Sequence, residues 1–377
     1  MRKNLFVRSA AVVCGLSMMA ALAACGDNVA TTTDSASNGS SASKSAPISG
    51  DFAGAGASSQ QNAVDAWIAG YQASNPDAKI AYNPTGSGAG VSSFLTGALA
   101  WAGSDKALAA EEVEQSKSVC ASGTAFDVPV YISPIAVAFN LKGVSDAGKH
   151  INMDASTIAK IFDGKITKWN DPAIADQNKD LDLPDTAITV VHRSDKSGTT
   201  QNFVSYLKDV AGSDWSYELS ENWPNEVGQG SKGTSGVVST IKQADGTIGY
   251  ADFSAVGDLG TVAVKVGDKY TEISAEAASK TIDDSPADET ATGDNRVVIS
   301  INHKTEVAGA YPIALVSYDI ACPAYKDAKT AEFVKSWLTY VTSEEGQKAA
   351  EDAAGSAALP SSLSSKVAKS IEAIKTK

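Results

Sequence analysis

From residue 49 onward the chain alternates short β-like runs with helical ones, and this alternation constrains its fold more than any other feature. Strand candidates at 79–82, 135–139, 188–192, 247–250, 297–301 and 313–318 are β-branched or aromatic and bounded by Gly, Pro, Asn or Asp. Between them, Ala63, Val64, Trp67, Ile68 and Tyr71 recur at helical spacing, as do Phe333, Val334, Trp337, Leu338 and Val341. Strands alternating with helices predict an α/β architecture with mainly parallel sheets. No repeat of fixed period is present. The acid-rich stretches 171–185 and 274–294 read as solvated loops or polar helix faces.

Composition narrows the functions such a fold could carry. With 44 acids against 31 bases the net charge is −13, which argues against nucleic acid and anionic membrane surfaces as partners. Three histidines and four cysteines leave little for a metal site or a Cys/His catalyst, and His150, His192 and His303 share no ligand spacing. No G-x-S-x-G nucleophile elbow occurs either.

The N-terminus reads as an export signal. Arg2, Lys3 and Arg8 precede an apolar run from residue 10 to 24, shorter than the ~20 residues a bilayer span needs. It ends at Leu22-Ala23-Ala24-Cys25-Gly26, which resembles a bacterial lipobox, with Cys25 acylated as the first mature residue. Residues 1–24 would then be the signal, and 25–48 a lipidated Ser/Thr/Ala-rich tether too polar to order itself. Cys120 and Cys322 remain in an exported body, either as a disulfide or as two separate buried thiols.

Four segments share one design, with small residues and hydroxyls just before a helical pattern. They are Gly54-Ala55-Gly56-Ala57-Ser58-Ser59, Gly86-Ser87-Gly88-Ala89-Gly90, Arg193 through Thr200, and Gly228-Gln229-Gly230-Ser231-Lys232-Gly233. Helix N-termini carry unpaired N–H groups and partial positive charge, Gly allows close approach, and hydroxyls add donors. None is a Walker A loop or G-x-G-x-x-G, so a nucleotide is not indicated. Arg193 adds a fixed charge with bidentate geometry, and Asp195 is placed to hold it. Asp105 is the discriminating residue. An ionised carboxylate only accepts hydrogen bonds, so beside an anion it repels unless that anion carries a proton. Phosphate at neutral pH does; sulfate does not.

These motifs, with Gly103-Ser104-Asp105, Gly164-Lys165-Ile166-Thr167-Lys168-Trp169, Gly246-Thr247-Ile248-Gly249-Tyr250 and Tyr311-Pro312-Ile313, make the body resemble the PstS family. Those are phosphate-binding proteins of the bacterial high-affinity phosphate ABC importer. The resemblance covers nearly all of residues 49–365 and implies a type II periplasmic-binding-protein fold. Two α/β lobes would be joined by a two-strand hinge, with the ligand in the cleft between them. Lobe I would be 49–131 and 312–377, lobe II 132–311, with crossings at 129–133 and 311–313. Both Cys120 and Cys322 then fall in lobe I, which favours the disulfide.

The resemblance implies phosphate ligands at Ser58, Ser59, Ser87, Asp105, Arg193, Ser197, Gly198 and Thr199, with Asp195 partnering Arg193. Ser59 departs from the pattern, since well-known members carry an aromatic residue there. The implied protein is a monomer without cofactor or metal. It would be anchored through Cys25 on the outer face of a Gram-positive membrane and would capture phosphate by lobe closure for the importer's permease and ATPase subunits. It would not be an enzyme. The alternative ligand is another tetrahedral oxyanion, sulfate or an oxometalate. A metal-dependent phosphatase and a structural lipoprotein are the rival classes.

Overall fold

The computed structural model describes residues 47–145 and 150–377; the expected signal, Cys25 and tether residues 26–46 lie outside the described residues. In chain order the first segment gives β1 (Gly50–Gly56), α1 (Gln61–Ser74), β2 (Ala78–Asn83), α2 (Ser87–Phe94), β3 (Trp101–Ser104) and α3 (Ala110–Gln115). The long strand β4 (Phe126–Asn140) leads to β5 (Ile151–Met153), α4 (Ala155–Phe162), α5 (Pro172–Ala175), β6 (Thr189–Arg193) and α6 (Gly198–Val210). Next come β7 (Gln229–Ser231), α7 (Gly233–Gln243), β8 (Thr247–Asp252), β9 (Gly260–Val266), β10 (Lys269–Thr271) and α8 (Ala275–Asp283). The chain finishes with β11 (Ala314–Ala321), β12 (Ala324–Tyr325), α9 (Ala328–Val341), α10 (Glu344–Ala354), α11 (Ser361–Glu372) and β13 (Lys375–Thr376).

The main sheet runs β2-β1-β3-β11-β4-β8-β6-β7, with β9 also on β4 and carrying β5 and β10. Its flanks are parallel, β1 with β2 and β3, and β6 with β7 and β8. Its centre is antiparallel, because β11 pairs β3 and β4, and β4 pairs β8 and β9. The expectation of mainly parallel sheets therefore fails at the centre. Those pairings join segments distant in sequence, which local alternation does not encode. One strand serves both flanks: β4 pairs β11 up to Pro134 and β8 from Ile135.

The predicted strand at 297–301 is another miss. Only Ile299 bridges, to Ala287. The backbone is satisfied instead by loop and edge contacts, Val297 N–H donating to Asp127 O, Ser300 N–H to Pro286 O, and Val298 O accepting from Asp288 N–H. Val297, Val298 and Ile299 are buried under that arrangement.

The helical periodicity holds. Ala63, Val64, Trp67 and Tyr71 are the buried face of α1, and Phe333, Val334, Trp337, Leu338 and Val341 that of α9. They meet over β1 and β3, where Phe333 stacks on Phe52 at 3.8 Å between centroids and Trp337 tilts onto Trp101 at 5.5 Å. A second aromatic cluster, Phe162, Phe203, Trp223 and Tyr250, lies between α4, α6 and β8. Each such side chain contributes about 1.5–3 kcal/mol on burial. The acid-rich 274–294 stretch contains α8, with Ala277, Ala278, Thr281 and Ile282 inward and Glu276 and Lys280 paired outward. Cys120 and Cys322 are joined by a disulfide with Cα atoms 5.3 Å apart.

Candidate anion-binding site

The four small-residue segments all end at helix starts, which hydrogen bonds draw together. The first is half strand: Gly54 and Gly56 belong to β1, and only 57–60 turn into α1. In the second, α2 begins within the glycines at Ser87. Gly86 precedes it at φ +98°, donating N–H to Gly56 O, and a Cβ there would stand 2.5 Å from Asp195 Oδ2. That backbone and that clearance both require glycine. The third segment follows β6, and Ser197 caps α6 by accepting Thr200 N–H. The fourth ends at Gly233, the first residue of α7.

Asp105 sits at the centre, 2% exposed. Its Oδ1 accepts from Ser59 Oγ at 2.7 Å and Ser317 Oγ at 2.5 Å; its Oδ2 accepts from Ser59 Oγ and Thr199 Oγ1, both at 2.7 Å. Its backbone N–H donates to Ser87 Oγ, and its backbone O accepts from Asn202 Nδ2 at 2.6 Å. A Cβ on Gly198 would lie 2.8 Å from Asp105 Cβ and 2.9 Å from Ser87 Oγ, so the start of α6 abuts this cluster only because residue 198 has no side chain.

Arg193 is 3% exposed at the end of β6. Asp195 grips it with a two-pronged bond, Nε to Oδ1 at 2.8 Å and Nη2 to Oδ2 at 2.6 Å, and accepts Gly233 N–H at 3.0 Å. Burial pushes the Asp195 carboxyl up, but Arg193 and the Gly233 N–H outweigh it and hold it below the usual range. Nη1 stays out of the Asp195 pair. Ser58 shares a bond with Thr234 Oγ1 at 3.0 Å and accepts Thr234 N–H, tying the start of α1 to that of α7.

All eight expected ligand residues thus stand in one neighbourhood of four helix starts, with Asp195 on Arg193. Ser59, the departure, gives its hydroxyl to Asp105. Sequence reasoning missed Ser317, Gln60, Thr234 and Asn202. A serine inside the apolar run at 313–318 was the available signal for the first, because a buried strand hydroxyl must find a partner. Trp67, Trp169 and Trp337 are core, and His192, next to last in β6, stacks on Trp223.

Two further buried carboxyls flank the site. Burial raises Asp252 at the end of β8 to about 7, opposed by Ser254 and Ser133 and reinforced by Asp105. It likewise raises Asp319 on β11 to about 7, opposed by Trp337 and Gln60, which lie beside it without an aligned bond to either oxygen. A carboxyl raised in the folded state contributes stability that is complete below pH ~4 and is lost as pH rises through about 7. Asp319→Asn is therefore expected to raise the Tm relative to wild type at pH 8 by several degrees and to change it little at pH 4. Thermal melts of both proteins at the two pH values check this; an equal difference at both would refute it.

The PBP superfamily domain matches residues 41–345. Phosphate-binding protein PstS 2 of Mycobacterium tuberculosis is 36% identical over 379 aligned positions, covering 98% of this chain and 99% of that protein. This chain belongs to the PstS family. Phosphate-binding protein PstS 3 of Mycobacterium leprae is 34% identical over 85% of the chain and 86% of its own length. Among solved structures, the phosphate-binding protein of Stenotrophomonas maltophilia superposes with a TM-score of 0.65 at 21% identity, covering 85% of this chain and 94% of that one. A phosphate ABC transporter substrate-binding protein from Clostridium perfringens gives 0.57 at 21%, covering 81% and 98%. The PstS fold here is therefore the type II-like periplasmic-binding-protein fold. PstS proteins are extracellular or periplasmic binding proteins of transport, a family not known for enzymatic activity. Among the described residues no helix is long and apolar enough to cross a membrane.

Proposed function

We infer that this PstS-family chain captures inorganic phosphate outside the cytoplasm for a phosphate ABC transporter. The observation that carries the reading is the buried Asp105 acceptor bonded at the starts of α1, α2 and α6, with the Arg193–Asp195 pair held to the start of α7. Helix starts, hydroxyls and a guanidinium attract an oxyanion, and the carboxylate demands that it bring a proton. Ser58, Ser59, Ser87, Asp105, Arg193, Ser197, Gly198 and Thr199 are the proposed ligand residues. The ligand is bound and released without covalent change.

Closure is proposed between lobe I (49–131 and 312–377) and lobe II (132–311). The switch of β4 from β11 to β8 at Pro134 and Ile135 supports a hinge just past the expected first crossing. The delivery partners are the transporter's membrane permease and ATPase subunits. The lipobox-like sequence at Cys25 supports a lipid-anchored monomer on the outer face of the membrane.

The test is titration of phosphate-stripped residues 26–377 with phosphate, arsenate and sulfate, followed by calorimetry or tryptophan fluorescence. Phosphate and arsenate are expected to bind and sulfate to be rejected by at least ~100-fold, with Asp105→Asn narrowing that gap. Equal binding of sulfate would transfer the reading to another tetrahedral oxyanion, and no binding of any of the three would end it.

A further inference from the structure

Asp105 excludes unprotonated anions only if its carboxylate stays turned to the ligand as an acceptor. Something must hold it there. Behind it, on the side of β11, lies a chain of fully buried polar groups. Ser317 Oγ donates to Asp105 Oδ1 at 2.5 Å and accepts from Gln60 Nε2 at 2.8 Å. The same Nε2 donates to Tyr318 O at 3.2 Å. Gln60 and Ser317 are both 0% exposed.

The direction of every bond in this chain follows from one group. Tyr318 O is a backbone carbonyl and can only accept, so the nitrogen of the Gln60 amide must face it; the flipped amide would set two oxygens together. Nε2 therefore offers its second proton to Ser317. Ser317, already accepting there, turns its own proton to Asp105. Oδ1 is thus fixed from behind by a donor that cannot reverse. Ser59 and Thr199 supply the other two hydroxyl protons. Ser59's one proton is shared between both oxygens, so the three hydroxyls bring three protons to a carboxylate that can accept about four, which leaves room for one from a ligand.

We propose that Gln60 and Ser317 are positioning residues that lock Asp105 as an acceptor with one place left for the ligand, and so set selection for a singly proton-donating oxyanion. This rests on the phosphate-capture reading. Gln60 and Ser317 would act on the ligand through Asp105, to which Ser317 is bonded. The buried Asp319 beside Gln60 extends the same line of groups toward α9.

The experiment measures phosphate and sulfate affinities by calorimetry for wild type, Ser317→Ala, Ser317→Thr, Asp105→Asn and the Ser317→Ala/Asp105→Asn double variant. Ser317→Ala is expected to lower the phosphate-over-sulfate preference by about tenfold or more, because Oδ1 is released. Ser317→Thr, which keeps the hydroxyl, should restore it. In the Asp105→Asn background, Ser317→Ala should change the preference by less than about twofold, since its effect runs through the carboxylate. A folded Ser317→Ala protein with unchanged preference, or an effect undiminished in the Asp105→Asn background, overturns the proposal. If Ser317→Ala does not fold, Gln60→Leu answers instead. It frees Ser317 to turn its proton away, and the same loss of preference is expected; an unaltered preference overturns the proposal. Wild type failing to bind phosphate is a separate result that removes the capture reading and this inference with it. Wild type selecting phosphate while the variants select equally well removes this inference alone.

Discussion

Arg193→Ala is expected to weaken phosphate binding by about a hundred- to a thousandfold, the scale of truncating one partner of a buried charge pair. It is also expected to destabilise the protein by about 3–5 kcal/mol. The two effects share a cause but separate by experiment. Removing the guanidinium takes a fixed positive charge from the site, and it strips Asp195 of both prongs of its grip, leaving that carboxylate largely buried with the Gly233 N–H. Arg193→Met combined with Asp195→Asn leaves no orphaned charge. Its stability should return toward wild type while binding stays lost. Arg193→Lys should fall between, since one ammonium cannot reproduce a planar fork. Calorimetric titration and denaturant unfolding of the three variants measure both quantities. Near-wild-type affinity in Arg193→Ala would remove Arg193 from the site.

The second large effect is expected from the Cys120–Cys322 bond. It closes a loop of 202 residues, and chain-entropy reasoning gives about 5 kcal/mol for a loop of that length. Both cysteines are buried, one ahead of β4 and one just past β11, so the bond ties the matching ends of that antiparallel pair. Urea unfolding with and without reductant, and of a Cys120→Ser/Cys322→Ser variant, should show the midpoint fall sharply. The m-value should rise, because the released unfolded chain exposes more surface. Coincident unfolding curves would refute the expectation. Phosphate added at saturation should stabilise both forms equally, since the bond lies outside the proposed ligand residues.

Much of the fold was legible because it is local. The buried faces of α1 and α9 follow from apolar spacing alone, and the four helix starts follow from glycines and hydroxyls placed ahead of such spacing. What stayed hidden is long-range. Nothing in the run at 313–318 says that β11 inserts between β3 and β4, and Pro129 and Pro134 disguise the first half of β4 as a loop. The run at 297–301 has the composition of a strand, yet loop and edge contacts satisfy its backbone and Ile299 alone bridges. The site divides the same way. Arg193 and Ser197 announce themselves by motif, and Asp105 by the chemistry an acceptor imposes beside an anion. Ser317 reaches Asp105, with Gln60 behind it, from elements the sequence keeps far apart, and Ser59, the departure from the family pattern, gives its hydroxyl to the same carboxylate.

The insertion of β11 also fixes when the chain can fold. Gly103 of β3 pairs Asp319, and Ser133 of β4 pairs Leu315. Until residues 314–321 have been synthesised, β3 and β4 each present an open edge and the first aromatic core lacks Phe333 and Trp337 as well. Pairings this remote in sequence are slow to form, and incomplete chains expose what they cannot yet bury. The β1–β3 flank is therefore completed only when β11 and α9 arrive, after the β4-β8-β6-β7 flank and its aromatic cluster are already in the chain. That delay leaves the incomplete chain in need of protection from aggregation.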